Sequence, residues 1–468
     1  MDTNDILNKF ITSMLNVDIQ DIESFTIVDT NDNEIIIDLK LVRKEADVCP
    51  SCGNVGVVHG YNKKKLIHSI FTGRNCSIIF HQRRYMCKKC DLTFSEKSPL
   101  SKRNERMTYE TKVNILIDLK RNNVTYNQTA QRYNVSPTEV QRIFDKHVNI
   151  EPHKLPTTLS IDEHFFPSSD HDGLYMFVMM NFQNGEIIDI YPDRRKDYLI
   201  SRFSDIKNKT LNIQDHTSEL SNVKYISMDL NDIYRRVCKT YFPKATICAD
   251  EFHVIKNLTK LCDDVRIRLR GGCNDSTLIY LLTKFKYVIN IDTNLDNEKK
   301  YNKKLGRYIN LRGIQEILFD AFPELKEAYG LKIGYINFNR TSTLENAKEE
   351  LNKQIEAFGN CNIKEYKTFY NLLKNWNKEI INSFIIVDGR RINNSHIESI
   401  NRQIDRLMYN ANGYINFKRA RNVILHFDID TYWIYTANYF REIIYHVYKS
   451  VLHIIARFFR FTYDTMKA

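Results

Sequence analysis

The chain has 468 residues, 43% of them hydrophobic, and a formal net charge of +11. This length allows about three domains with a large core, and the apolar fraction is ordinary for a globular protein. The first residues lack an export signal and no charge-free apolar run could span a bilayer, so we expect a cytoplasmic protein rather than a secreted or membrane protein. The positive charge suits a polyanionic partner such as nucleic acid, although charge alone is weak evidence.

Residues 1–45 form the first predicted segment, a helix followed by a β-hairpin. β-Forming residues are concentrated at 24–28 and again at 34–39. The polar run Asp-Thr-Asn-Asp-Asn at 29–33 lies between them and is typical of a turn. The pattern therefore predicts two antiparallel strands ahead of the first cysteine.

Residues 46–100 contain two Cys-x-x-Cys pairs separated by a β-rich, basic stretch. In a reducing cytosol, paired cysteines favour a metal over a disulfide. A redox Cys-x-x-Cys would need one pair, whereas two pairs at this spacing are typical of a zinc ribbon with four thiolates around a tetrahedral Zn²⁺. The predicted zinc ligands are Cys49, Cys52, Cys87 and Cys90.

Other potential ligands occur in the same region. Gly53, after the second cysteine, permits the turn that wraps a metal. Cys76 has no partner in a Cys-x-x-Cys pair, and His59 and His68 are isolated. We expect these three side chains to pack or face solvent rather than to bind the metal.

Residues 105–150 are predicted to be helical. Apolar spacing predicts a helix over 108–121, and residues 126–144 are typical of a helix-turn-helix, with a small Ala130 and a turn at Asn134. Ser136 and Pro137 begin the second helix as a capping box with proline in the first turn. A small helical connector is the alternative. If the motif binds DNA, the side chains that would face a major groove are Thr138, Gln141, Arg142 and Lys146.

From residue 156 the pattern becomes α/β, and two buried strands end at carboxylates. The strand at 158–161 stops at Asp162, and the strand at 223–228 stops at Asp229. Between them, residues 174–182 and 186–191 flank an Asn-Gly turn and predict a hairpin, and 198–206 predicts a helix. A strand's C-terminal edge commonly opens onto a cleft, although an aspartate there is more often a turn former or helix cap.

Residues 252–269 predict a long helix, and the Asp-x-x-His pair Asp250 and His253 spans its start. The charged, helical pattern continues to about residue 382, which predicts a helical insertion. Its basic face, including Arg266, Arg268 and Arg270, could contact DNA phosphates or simply face solvent.

Glu398 lies on a further predicted helix, beside an apolar stripe at 3.6-residue spacing made of Ile397, Ile400, Ile404 and Leu407. Together with Asp162 and Asp229 it would form a carboxylate cluster, whose mutual repulsion divalent cations would relieve. Hard oxygen ligands suit Mg²⁺ or Mn²⁺, and two such ions can promote an in-line phosphoryl transfer. The remaining segment, residues 428–468, is aromatic-rich and predicts a helical tail, with too many charges to cross a membrane.

Several short sequence motifs resemble those of one known family. They are SIDEHF at 160–165, SMDL at 227–230, ADEFHVIK at 249–256, NSHIESIN at 394–401 and GYINF at 413–417. Taken in this order, they resemble the blocks of bacterial insertion-sequence transposases of the ISL-three family. With the cysteine pairs, the resemblance covers the chain from about residue 49 to about 426.

The resemblance implies a multidomain α+β fold. A zinc ribbon and helix-turn-helix would precede a ribonuclease-H-like α/β catalytic core at 156–256 and 386–427, interrupted by an α-helical insertion at 257–385. It also implies a DDE-type transposase that binds the terminal inverted repeats of its element as a homodimer and cleaves and joins DNA with Mg²⁺ or Mn²⁺. Asp162, Asp229 and Glu398 would be catalytic, with Asp250 and His253 near the site. An inactive DNA-binding regulator and a structure-selective nuclease are the alternatives, and the location would be the bacterial nucleoid.

Overall fold

The computed structural model describes residues 11–12, 15, 17–31, 34–43, 47–71, 73–121, 124–167, 173–214, 216–290, 295–411 and 413–426. The predicted N-terminal helix lies largely outside these residues and the predicted tail at 428–468 lies entirely outside them. The chain forms two compact units. Of the described residues, the first unit consists of those within 1–150, 406–414 and 418–426, and the second of those within 151–405 and 415–417.

The first unit is built on a five-stranded sheet. Its strands are β1 (Ile22–Asn31), β2 (Glu34–Leu41), β3 (Val57–Phe71), β4 (Arg74–Met86) and β5 (Thr93–Ser95). β1 and β2 form the predicted antiparallel hairpin. β2 then pairs with β4 in parallel, so the N-terminal hairpin and the cysteine-containing segment share one sheet.

The core of this unit follows from alternation along the strands. Every second residue of β2 is buried, as expected when one face of a sheet is covered. These side chains pack with those of β4 in one cluster that includes Ile37, Leu39, Ile78 and Phe80.

Three helices complete the described N-terminal part: α1 (Tyr109–Asp118), α2 (Tyr126–Arg132) and α3 (Pro137–His147). α2 begins with a capping box at Thr125. α3 begins at Pro137, where the Ser136 side chain accepts a hydrogen bond from the Glu139 amide at 3.1 Å. Asn134, between the two helices, has φ of 51°, a left-handed conformation that asparagine tolerates. The two predicted helices and their turn are therefore present.

The second unit contains a five-stranded mixed sheet in the order β10-β9-β6-β7-β8. Its strands are β6 (Thr158–Phe165), β7 (Tyr175–Asn181), β8 (Ile187–Tyr191), β9 (Tyr225–Met228) and β10 (Thr246–Ala249). β6, β7 and β8 are antiparallel neighbours, whereas β9 is parallel to both β6 and β10. The helices α4 (Lys196–Lys209) and α5 (Asp232–Tyr241) follow β8 and β9, and their apolar side chains pack on the sheet in a single cluster.

A largely helical region follows β10 and has a core of its own. Its helices are α6 (Glu251–Gly271), α7 (Ser276–Lys284), α8 (Tyr287–Asn290), α9 (Leu311–Ala321), α10 (Pro323–Thr341), α11 (Ala347–Asn360), α12 (Tyr366–Asn375) and α13 (Asn377–Asn382). Two short hairpins interrupt or follow them, β11 (Lys300–Asn302) with β12 (Arg307–Ile309), and β13 (Ile386–Val387) with β14 (Arg390–Arg391). The last described helices are α14 (Ser395–Asn410) and α15 (Phe417–His426). Among the described helices, none combines the length and apolar character that a membrane span requires.

Candidate functional sites

The four predicted zinc ligands come together at one end of the first unit's sheet. Cys49 and Cys52 lie in the loop before β3, and Cys87 and Cys90 lie in the loop between β4 and β5. Their sulfur atoms all lie within 4.8 Å of one another, with Sγ–Sγ distances of 3.5 Å (Cys49–Cys90), 3.4 Å (Cys52–Cys87) and 3.7 Å (Cys52–Cys90). A tetrahedral ion with Zn–S bonds of about 2.3 Å requires sulfur atoms about 3.8 Å apart, so the cluster fits Zn²⁺.

The two cysteine loops have the same backbone design. The Gly53 amide donates to the Cys49 carbonyl at 2.8 Å, and the Asp91 amide donates to the Cys87 carbonyl at 2.9 Å. Gly53 and Asp91 both have positive φ, 70° and 53°, which closes each turn. Backbone N–H groups, first that of Lys89, lower the pKa of Cys87 to about 6, and a lowered pKa favours the thiolate that a metal needs.

Cys76, in contrast, belongs to the hydrophobic core of the sheet. Burial raises the pKa of its thiol to about 11. His68 is buried beside Thr108, with Nδ1 and Oγ1 3.0 Å apart, and His59 is exposed. These three residues therefore lie apart from the cysteine cluster, as the sequence suggested.

The four predicted DNA-contacting residues lie on α3. Thr138, Arg142 and Lys146 are exposed and Gln141 is half-buried, so this face of the helix is accessible within its unit. The Arg142 guanidinium donates to both carboxylate oxygens of Glu139, at 2.9 and 2.6 Å. Any base contact by Arg142 would therefore compete with this exposed ion pair.

Polar contacts hold the α2–α3 pair on both sides, one at a buried carboxylate and one at an exposed ion pair. On α1, the Asp118 carboxylate is buried and accepts hydrogen bonds from Thr129 at 3.3 Å and from Arg132. On α15, Arg419 donates to both oxygens of Asp145, at 2.8 and 2.6 Å. Residues far apart in sequence thus fix the orientation of α3 within the first unit.

In the second unit, the central strand β6 positions Asp162. Oδ1 of this carboxylate accepts the Glu163 amide at 2.7 Å, and Oδ2 accepts the side-chain amide of Asn401 at 2.7 Å. Burial, followed by the nearby charge of Asp229, raises the pKa of Asp162 to about 7. A buried carboxyl group whose pKa is raised so far is typical of a functional site.

Asp229 directly follows β9, the strand beside β6, and contacts His253. The Asp229 Oδ2 and His253 Nδ1 atoms are 2.9 Å apart. On the other side of the ring, His253 Nε2 lies 4.0 Å from Asp250 and 3.9 Å from Glu398. Partial burial acts to lower the pKa of His253, but the hydrogen bond to Asp229 and the surrounding carboxylates outweigh it and raise the pKa. The His253 ring thus lies among three acidic side chains, which favour its protonated form.

Asp250 is only 1% exposed, at the end of β10 and directly before α6. Its Oδ1 accepts the Asn394 amide at 3.1 Å. Burial raises the pKa of Asp250 to about 6 against the effect of that hydrogen bond. Its Oδ2, like Oδ1 of Asp229, is buried without a hydrogen-bond partner among the described residues.

Those two unsatisfied oxygens bear on whether a cation fits here. Buried carboxylate oxygens without donors are costly, and a hard divalent cation prefers such oxygens as ligands. The ligand atoms of Asp229, Asp250 and His253 lie within 4.8 Å of one another. The donor set therefore fits a divalent cation, with Glu398 and Asp162 close to the same group.

Glu398 reaches this group because α14 packs through its predicted apolar stripe. Ile397 and Ile404 are buried, and Ile400 and Leu407 are half-buried. Four other glutamates in the long interval between Asp229 and Glu398 could compete for the role of third acid, but they lie elsewhere. Glu345 and Glu349 are exposed and Glu350 pairs with Lys353 at 2.7 Å, whereas Glu379 is buried against Lys239 at 3.0 Å.

Two asparagines in the Glu398 segment were not singled out from the sequence. Asn401, one helical turn after Glu398, holds Asp162 as described above. Asn394 donates its side-chain amide to the Ile161 carbonyl at 3.1 Å, besides donating its backbone amide to Asp250. Both lie in the sequence motif NSHIESIN. Their closeness to Glu398 in the sequence could have indicated that they support the acidic site.

The arginines that could have formed a DNA-tracking face on α6 are used internally. Arg266 is buried and donates to Asp263 at 2.6 Å and to the Leu282 carbonyl at 2.8 Å. Arg268 is held by Glu324 and Glu365. The buried Arg266 is not available to phosphates, so this interpretation of the basic face is wrong for Arg266. Arg268 is 35% exposed in its ion pairs, and a phosphate contact by this residue stays a prediction.

Comparison with known proteins agrees with the resemblance of the sequence motifs. A family model described as a transposase, of the ISL-three type, matches residues 159–424. The match includes Asp162, Asp229 and Glu398 and covers more than half of the chain. A search of curated proteins finds no match. The chain therefore belongs to the ISL-three family of transposases, which are DNA-cleaving enzymes.

Proposed function

We propose that this chain is a DDE-type transposase that cuts and joins the ends of its own insertion sequence by metal-dependent phosphoryl transfer. One observation carries the proposal. Acidic side chains from three separate elements, Asp162 on β6, Asp229 after β9 and Glu398 on α14, converge around His253. Convergence of carboxylates from distant segments costs electrostatic free energy, which a binding role for cations would explain.

The order of the strands supports a ribonuclease-H-like core. Three antiparallel strands are followed by a helix and by two strands parallel to the first. The first acid is on the central strand and the second follows its parallel neighbour. Carboxyl ends of parallel strands lie at one edge of a sheet, where ligands of α/β proteins bind.

Asp162, Asp229 and Glu398 are the residues that would hold Mg²⁺ or Mn²⁺. When bound, the two ions would supply an activated oxygen nucleophile and charge neutralisation at the leaving oxygen. The chain's own residues orient these ligands. Asn401 holds Oδ2 of Asp162, and His253 holds Oδ2 of Asp229.

Asp250 and His253 are proposed as positioning residues. Asp250 accepts a hydrogen bond from the backbone amide of Asn394, directly before α14. This bond holds the start of the helix that carries Glu398. A direct ligand role for Asp250 is the alternative, since one of its oxygens is free of hydrogen bonds among the described residues.

The first unit would recognise DNA. The four cysteines would hold a structural Zn²⁺, and Thr138, Gln141, Arg142 and Lys146 on α3 would contact bases of the terminal inverted repeats. Base contacts would specify the sequence, whereas phosphate contacts would only position the protein. Two subunits acting as a homodimer would bring two ends together, on bacterial DNA in the cytoplasm.

The proposal is tested by cleavage of a labelled duplex carrying one end of the element. The wild-type chain should nick it only with Mg²⁺ or Mn²⁺, and Asp229→Asn should bind normally but lose cleavage by at least about a hundredfold. Asp197→Asn, an exposed acid in the first turn of α4, should cleave normally. Specific binding without any metal-dependent cleavage by the wild type would instead favour an inactive DNA-binding regulator.

A further inference from the structure

The β11–β12 hairpin of the second unit exposes two aromatic rings. Tyr301 and Tyr308 are directly opposite each other across the two strands, with ring centroids 5.3 Å apart. They are 55% and 70% exposed, although tyrosine usually buries most of its ring. We call residues 299–309 the tyrosine hairpin.

The hairpin is a built element rather than a loose loop. Residues that face the other side of the strands, Asn302 and Ile309, are buried. The Asn302 side chain accepts the amides of Lys304 at 3.0 Å and Leu305 at 3.3 Å. Gly306 has a φ of 63°, which closes the turn at low cost. The fold therefore presents the two rings in a fixed place.

Five exposed cations lie on the same hairpin as the two rings. Within residues 299–309 there is no acidic residue, and the exposed cations are Lys299, Lys300, Lys303, Lys304 and Arg307. In the part of the chain that the structure describes, none of them forms an ion pair with a carboxylate. Nearby Arg312, in contrast, is paired with Asp296 at 2.5 Å. The hairpin thus combines concentrated positive charge with unpartnered aromatic surface.

We propose that the tyrosine hairpin binds an unpaired DNA strand, with Tyr301 and Tyr308 stacking on bases and the five cations contacting phosphates. Aromatic rings within a cationic surface are the common means of binding single strands without regard to sequence. The inference rests on the proposed function, because a strand cut at an element's end has a free terminus that can separate from its complement. Duplex DNA offers the phosphates but keeps its bases stacked, so it would use only the cations.

The test measures binding of the full chain to a fluorescein-labelled 20-mer of thymidylate and to a 20-base-pair duplex of mixed sequence. Fluorescence anisotropy is followed at several salt concentrations without added divalent cation. The Tyr301→Ala/Tyr308→Ala variant should lose about tenfold or more in affinity for the single strand and little for the duplex. Tyr301→Phe/Tyr308→Phe should retain the affinity, because stacking needs the ring and not the hydroxyl.

Charge is tested separately. Lys303→Ala/Lys304→Ala should reduce the salt dependence of single-strand binding by about 1.4 in slope, since each phosphate contact contributes about 0.7. The matched control is Lys348→Ala/Lys367→Ala, two exposed lysines on α11 and α12, which should leave the slope unchanged.

Three outcomes would overturn the inference: unchanged single-strand affinity in the tyrosine-to-alanine variant, an equal loss on duplex, or an equal effect of the control lysines. Circular dichroism of each variant checks that the fold is retained. Because the test measures binding and not cleavage, a failure of this inference can be distinguished from a failure of the proposed function. If the tyrosine-to-alanine variant loses single-strand binding and the wild type never cleaves DNA, the binding role of the hairpin stands and the catalytic proposal is removed.

Discussion

Single side chains determine what the acidic site can do, and Glu398 is the most distant of them in sequence. We expect Glu398→Gln to bind an end-containing duplex normally but to lose cleavage by at least about a hundredfold, because an amide lacks the charge to hold a cation. The control is Glu349→Gln, an exposed acid on α11 paired only with Lys353. Substantial Mg²⁺- or Mn²⁺-dependent cleavage by Glu398→Gln would mean that the third ligand is misassigned.

The raised pKa of Asp162 gives a second prediction at this scale. The folded pKa of about 7 lies above the ordinary value of 3.8, so the fold favours the protonated form. Without a cation, this carboxyl therefore does not lower the free energy of unfolding below about pH 4. As the pH rises from about 4 to about 7, the free energy of unfolding falls progressively, because the unfolded chain loses this proton first. Asp162→Asn should accordingly melt above the wild type by a margin that grows from pH 5 to pH 8.

The expected margin at pH 8 is at least about 1 kcal/mol, or roughly 2–4 °C for a unit of this size. Melting temperatures are measured by differential scanning fluorimetry in metal-free buffer. Added Mn²⁺ should stabilise the wild type at pH 8 much more than at pH 5, because ligands must be deprotonated. A margin that does not change with pH would contradict the prediction.

At the scale of elements, the two cysteine turns predict about one Zn²⁺ per chain. Cys87→Ser should lose the metal, because a closed tetrahedral site needs all four thiolates. Cys76→Ser should keep it, because this thiol is in the hydrophobic core. Elemental analysis of the purified variants measures the content, and equal zinc in both would remove the ribbon assignment.

The proposed role of helix α3 in DNA recognition gives a further prediction. Arg142→Ala should weaken binding to the element's end by about 1–3 kcal/mol if the arginine contacts a base, with a smaller loss on random duplex. Glu139→Gln releases the same guanidinium from its ion pair and should strengthen binding to both. Competition binding assays compare the two DNAs, and an equal loss on both for Arg142→Ala would make it a phosphate contact.

The elements also show what the sequence could and could not predict. The hairpin at β1–β2, the cysteine turns, α2–α3 and the stripe of α14 were predictable, because each depends on local spacing and turn chemistry. The pairing of β2 with β4 and the hydrogen bond from Asn401 to Asp162 were not, because they join segments far apart in sequence. The internal ion pairs of Arg266 and Arg268 were missed for the same reason, since charge pattern alone does not reveal a partner.

At the scale of the whole molecule, the buried carboxylate of Glu379 joins the helical region to helix α5 beside the mixed sheet. Glu379 on α13 accepts Lys239 of α5 at 3.0 Å and lies 3.7 Å from Arg235. Glu379→Gln should therefore lower the stability of the second unit by about 1–3 kcal/mol while cleavage at permissive temperature is retained. Thermal unfolding and cleavage of the same preparation separate the two effects, and lost cleavage at full stability would make Glu379 a candidate ligand.

The two units are interleaved along the chain, and this affects how the protein can be made. The first unit needs residues 418–426, whose Arg419 and Asn422 hold Asp145 and the Val148 carbonyl beside α3. The second needs residues up to 405 and again 415–417. A ribosome must therefore complete nearly the whole described chain before either unit has all its parts. Prematurely terminated products, even those long enough to include every cysteine and all of α3, would lack the segment that supports α3.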